Sequence, residues 1–213
     1  VFDFDDTHPG TIIHPSAPVG PPLFAWAERA GMSGADLLRA FVLGVEIECR
    51  LGNAVSPHHY AKGWHITATC GVLGAAAAMG VVLGLDEDRM LWALGNASAQ
   101  ASGLVETLGT MAKSTGVGQS ARGGLLAALL AQNGMQGPER PIEGPRGFLA
   151  VLGDGASPAG LTDDLGSSWE ILRNTYKPYP CGVVLNPVID AVLALRARTG
   201  LPADRIEVIR VFG

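Results

Sequence analysis

Apolar side chains recur every three to four residues through most of the chain up to residue 134, the spacing of one helical face. Ser33 followed by Asp36 has the form of an N-terminal capping box. Leu38, Val42, Val45 and Cys49 then share one stripe, with Glu46 and Arg50 paired four apart. This predicts a helix over about 34–52. Asp86 opens another over about 87–101, with acidic residues in its first turn and Met90, Leu94, Ala97 and Ala101 along one side. A further helix over about 117–133 runs from Val117 to Asn133 and ends at Gly134.

Ile66–Leu85 holds twenty residues without a charge, long enough to span a bilayer. Eleven of them are Gly, Ala or Thr, and Gly80-x-x-x-Gly84 is a spacing that lets helices approach closely in a protein core as well as in lipid. The segment therefore reads as a central buried helix. Pro9, Pro15, Pro18, Pro21 and Pro22 predict a structured loop leading into a helix, because each ring removes an N–H and restricts the residue before it. After Gly153 a polar, Gly- and Pro-rich connection leads to Ile171–Tyr176, an apolar stretch Val183–Leu195, and Ile206–Phe212 with alternating β-branched residues. These read as strand, helix and strand.

Composition narrows the class. With 213 residues, 47% hydrophobic and 16% charged, the chain can bury a substantial core, which excludes disorder and coiled coil. A net charge of −5 offers no basic footprint for nucleic acid or anionic lipid. Cys49, Cys70 and Cys181 are odd in number and widely spaced, which suits reduced thiols in a cytoplasm better than a disulfide framework. Val1 stands where an initiator Met would, and the expectation is a fragment lacking sequence at both ends.

Several motifs compete for the chemistry. Asp3, Asp5 and Thr7 match D-x-D-x-T, which in haloacid-dehalogenase-like phosphatases supplies a nucleophilic Asp, a second acid and a Mg²⁺ site. That alternative also requires apolar strands converging on one sheet edge, whereas residues 23–134 read as helices. Lys113 after Gly109 approaches a phosphate-binding loop but lacks its glycines, since Ala112 and Thr107 stand in their places. Gly116 and Gly118 have dinucleotide spacing without a preceding strand, and read instead as positions of close helix packing. His58, His59 and His65 miss metal-ligand spacing and no Cys joins them. What remains is a set of polar residues where cores do not favour them. His65 and Thr69 stand at the entrance of the most apolar helix, His14 before Pro15, and Lys113 on a Gly/Ser/Thr-rich turn. They suggest a site for an anion.

Five ordered blocks together resemble the MmgE/PrpD family: DFDDTHPGTIIHPSAP (3–18), YAKGWHITATCGVLGAAAA (60–78), GLVETLGTMAKSTGVGQSARGGLLAALLAQNG (103–134), ERPIEGPRGF (139–148) and NTYKPYPCGVVLNPVIDA (174–191). The family includes 2-methylcitrate dehydratase, cis-aconitate decarboxylase and iminodisuccinate epimerase. The resemblance implies a mainly α chain, with an all-helical domain over 1–165 and the start of a smaller α+β domain over 166–213. It implies a cytoplasmic homodimer with no metal or redox cofactor, whose partner is a small di- or tricarboxylate substrate rather than nucleic acid or membrane. Carried over residue by residue, the site comprises Asp3, Thr7, His14 and His65 as the catalytic set, and Lys113 and Lys177 as substrate-binding cations. The expected reaction is a proton transfer next to a carboxylate, with His14 and His65 as acid and base and Asp3 and Thr7 orienting them. Gly182 stands where the decarboxylases resemble one another in having His, Asn186 where many relatives read His-Pro, and the interval from Thr7 to His14 is one residue longer. These departures rank decarboxylation below dehydration or epimerisation.

Overall fold

The computed structural model describes residues 3–212; Val1, read above as replacing an initiator Met, lies outside them, as do Phe2 and Gly213. The chain divides into two compact units, one of residues 6–175 and one of residues 1–5 with 176–213. Along the larger unit run α1 (Ser16–Ala30), α2 (Gly34–Val55), α3 (His58–Ala61), α4 (Ile66–Val82), α5 (Glu87–Ser98), α6 (Met111–Gln132) and α7 (Phe148–Leu152). The fold is mainly α. The strands among the described residues, Asp6–Thr7 and Thr175–Tyr176, are two residues each.

The long uncharged run becomes α4, buried on every side from Ile66 to Gly80 and packed against α1, α2, α5 and α6. No helix among the described residues is long and apolar enough to cross a membrane. Small side chains let the neighbours close in. A Cβ on Gly124 of α6 would lie 2.4 Å from the Ala75 Cβ and 2.7 Å from the Ala76 N, and one on Gly74 would lie 2.7 Å from the Gly44 carbonyl oxygen of α2. Of the predicted pair, Gly80 is also a point of close approach, since a Cβ there would lie 2.6 Å from Met90 Cε of α5, whereas Gly84 is not. Gly80 faces the flexible Met90 side chain, and Gly84 is a turn residue at φ +64°. Gly116 and Gly118 likewise face open space, so the close packing expected of them falls to Gly124. Because the atoms facing Gly124 include backbone, Gly124→Ala should cost about 1–3 kcal/mol by overpacking. A lower urea midpoint with an unchanged m-value is the expected result.

Several predicted boundaries move. Ser33 caps α2 by accepting the Asp36 N–H, and Asp86 caps α5 through the Arg89 N–H. Helix α6 begins at Met111, well before the expected Val117, because its buried residues start at Val117 while an exposed turn precedes them. Helix α1 begins at Ser16 and contains Pro21 and Pro22, where a loop was expected. Pro18 falls in the first turn, where no intrahelical donor is needed. The Asp6 carboxylate completes that end by accepting from Ser16 N and Oγ at 3.1 and 2.5 Å. Leu38, the first residue of the predicted stripe, is exposed, whereas the second half of α2 is buried nearly all round. There Arg50 donates to Glu46 at 2.5 Å and to the carbonyls of Leu161, Asp163 and Ser168 at 3.2, 2.7 and 3.2 Å. The pair expected from its spacing is thus a buried clamp on the 161–168 segment.

The smaller unit contains α8 (Asn186–Thr199), which has Pro187 in its first turn and ends at Gly200 in the left-handed conformation. Ile206–Phe212 forms no ladder among the described residues, so the strand predicted there is not made. Alternating β-branched residues suit a strand but do not supply its partner.

Candidate functional site

His65 is the residue before α4, and its position is set from two sides. Its backbone N–H donates to Gly103 O at 3.0 Å, while Val105 N–H donates to Gly63 O at 2.8 Å, so residues 63–65 lie alongside 103–105. Gly103 must be glycine here. Its φ is +134°, and a Cβ would meet the Ala68 Cβ at 2.7 Å. The 103–105 strip continues through the turn at Gly109 into α6, whose first turn carries the half-buried Lys113. Lys113 therefore lies on a helix rather than on the turn expected for it.

His14 reaches the same end of α4 by another route. Its backbone N–H donates to Thr67 Oγ1, on the first turn of α4, at 3.2 Å. Its Nδ1 lies 2.7 Å from Asp6 O and 3.2 Å from Thr7 Oγ1. A carbonyl oxygen only accepts, so Nδ1 carries the hydrogen and, in the neutral ring, Nε2 holds the lone pair. Thr7 is itself held at its carbonyl by Thr175 Oγ1 at 3.0 Å.

Electrostatics tie the three groups together. Burial first, then the Lys113 ammonium and the His14 imidazole, lower the His65 pKa to about 4. The ring is therefore neutral near pH 7 and 5% exposed. The structure thus brings Thr7, His14, His65 and Lys113 to one end of α4. Asp3 and Lys177 belong to the smaller unit, where Lys177 Nζ is 2.6 Å from Asp3 Oδ1 and 2.7 Å from Asp5 Oδ1. Burial pulls the Lys177 pKa down, but the hydrogen bonds it donates to Asp3 and Asp5 outweigh that and hold its pKa above the ordinary value.

Residues not singled out from the sequence complete the arrangement. Asp6 supplies the carbonyl for His14 and the carboxylate for the start of α1, and also accepts from Asn174 Nδ2 at 2.9 Å. Thr67 ties His14 to α4. A threonine just inside a buried helix was the available signal. His59, buried and stacked on Trp64, has Nδ1 at 2.9 Å from Leu152 O and Nε2 at 2.7 Å from Thr69 Oγ1, so both ring nitrogens serve packing.

The phosphatase alternative does not survive this fold. The Asp3 and Asp5 carboxylates hold the Lys177 ammonium, the strand at Asp6–Thr7 is two residues long, and helices follow where a sheet would have to stand.

Comparison with known proteins agrees with the helical architecture. Human cis-aconitate decarboxylase is 34% identical over 97% of the chain and 45% of the relative. The mouse protein of that name is 34% identical over 97% and 44%, and the Aspergillus terreus one 33% over 92% and 43%. The chain spans less than half the length of these curated relatives. Residues 1–160 match the MmgE/PrpD N-terminal domain, and the chain belongs to the MmgE/PrpD family.

Proposed function

We propose that the chain carries the helical part of a lyase or isomerase acting on a small di- or tricarboxylate by proton transfer at the carbon next to a carboxylate. The observation that supports this most is a buried, neutral His65 under the influence of Lys113 and His14. Such a ring can take a proton from carbon. The C–H bond breaks, the proton moves to an imidazole, and the electron pair stays on the carbanion-like substrate, spread into its carboxylate. The Lys113 ammonium offsets that charge. The second histidine then acts as the acid, protonating the hydroxyl that leaves in a dehydration or the opposite face of the carbon in an epimerisation. In a decarboxylation the C–C bond breaks instead, CO₂ leaves, the bonding pair stays on the carbon, and a protonated histidine donates its proton there. The relatives carry the decarboxylase name, so the expected ranking of dehydration or epimerisation above decarboxylation gains nothing from them. Gly182 and Asn186 still argue for that ranking. Asp3 and Lys177 hold their proposed orienting and carboxylate-binding roles on the family resemblance alone. The homodimeric, cytoplasmic and cofactor-free character rests there too.

A low His65 pKa has a functional purpose in this reading. The carboxylates of a bound substrate neutralise Lys113 and raise the imidazole toward working pH, so the base strengthens when it is needed. With His65 as the base, kcat/KM should fall as pH drops through about 4, where the free ring gains its proton. Lys113→Met should raise KM about 10–100-fold, the loss of a charge-assisted contact, and shift that acid limb upward, because one cause of the low value is gone. An acid limb unmoved by the substitution would separate Lys113 from His65. The test of the reaction class is deuterium exchange, followed by NMR, over a panel of tricarboxylates and aminodicarboxylates with the full-length protein. Exchange at carbon next to a carboxylate is expected with at least one of them, and its absence across the panel overturns the proposal.

A further inference from the structure

The loop between Thr7 and His14 is held by a side chain that the site described above does not use. His8 is 1% exposed. Its backbone N–H donates to Ile13 O at 2.8 Å, and its carbonyl accepts from Thr11 and Ile12 N–H at 3.2 and 2.8 Å. Ile12 takes a left-handed conformation, φ 59°, which drives Ile13 into the core and delivers His14 beyond it. The His8 ring locks this turn from both nitrogens. Nδ1 lies 2.9 Å from Thr11 Oγ1 inside the turn, and Nε2 lies 2.9 Å from the Glu170 carboxylate outside it.

Glu170 is itself anchored. Its backbone N–H donates to Glu46 Oε2 at 2.7 Å, and Glu46 is the partner of Arg50. Asn174 and Thr175, one turn of chain further on, hold Asp6 and Thr7 at 2.9 and 3.0 Å. The segment 170–175 therefore grips three consecutive residues, Asp6, Thr7 and His8. Two of those three touch the His14 ring. A rigid grip on the residues before and within the turn fixes where the imidazole starts and which carbonyl it meets.

We propose that Glu170 is a positioning residue for His14, acting through the His8 imidazole and the 8–13 turn. The proposal rests on the functional reading above only for its kinetic consequence. Removing the carboxylate frees the turn, lets the His14 ring leave Asp6 O, and mixes its two tautomers. A misplacement of this kind costs rate more than binding.

The test combines ¹⁵N-resolved NMR of the His14 ring with steady-state kinetics in the full-length protein. The wild-type ring should show the Nδ1–H tautomer. Glu170→Ala should shift its nitrogens toward a tautomer mixture and lower kcat about 10–100-fold, with KM changed by less than about threefold. Glu170→Gln, whose amide oxygen still accepts from His8 Nε2–H, should restore both. Should Glu170→Ala fail to fold, His8→Asn asks the same question. Its amide can keep the Thr11 contact but falls short of Glu170. A folded Glu170→Ala or His8→Asn with a wild-type His14 spectrum and kcat within about twofold would overturn the proposal. The ring spectra need no substrate, so a wild type without turnover would sink the functional reading while the spectra still decide the positioning role.

Discussion

Replacing His65 with alanine in the full-length protein should lower kcat/KM by about 10²–10⁴-fold, the usual contribution of a positioned general acid or base. Replacing His14 should cost a similar factor. The double variant should fall well short of the product of the two, because a proton taken by one ring and returned by the other is a single relay. Both residues are buried or half-buried beside the first turn of α4. A purely structural role would therefore appear as lost thermal stability with turnover per folded molecule preserved. Near wild-type turnover in both single variants would remove the histidines from the mechanism.

The largest stability effect belongs to Arg50. Its side chain and that of Glu46 are 7% and 2% exposed. Arg50 also donates to three carbonyls of the 161–168 segment. Arg50→Ala leaves the Glu46 carboxylate buried without its counter-charge and unties that segment, a loss of about 3–5 kcal/mol. For a domain of this size that is a fall of roughly 6–20 °C in Tm. Pairing it with Glu46→Met removes the stranded charge and should recover part of the loss. A thermal melt of the double variant as low as that of Arg50→Ala would show that the carbonyl contacts of Arg50 and the Glu170 N–H bond to Glu46, not the ion pair, carry the energy.

Those two substitutions mark what could be read in the sequence. The capping residues Ser33 and Asp86 and the uncharged run of α4 are local signals, and the structure uses them as local chemistry predicts. The i,i+4 spacing of Glu46 and Arg50 was also legible, but not its burial, because that depends on the 161–168 segment more than a hundred residues away. The same distance hid the link between His8 and Glu170. The start of helix α1 was misplaced for a different reason. The cost of its prolines is visible in the sequence, whereas the Asp6 carboxylate that secures its first turn lies across a loop. Glu48 is the hardest case. It is fully buried between helices beside Gly71 and Gly74, and neither carboxyl oxygen has a hydrogen-bond partner among the described residues. Burial, then the nearby Asp6 charge, pushes its pKa well up, in favour of the neutral acid. No spacing rule would place an acid there.

For the site itself, His14, His65 and Lys113 stand out in the sequence as polar positions suited to an anion, whereas Thr7 and the role of each residue come only with the family resemblance. The structure supplies the physical reason for their meeting. One helix end is held by two separate segments, by the 6–14 loop through Thr67 and by the 103–113 segment through Gly103.

The most direct measurement is an NMR titration of the His65 ring in the full-length protein, with and without a saturating tricarboxylate. A ring that titrates near 4 when free and moves upward when the carboxylate binds would match a base gated by substrate charge. A ring that titrates near its ordinary value of about 6.5 and ignores the carboxylate would contradict the account.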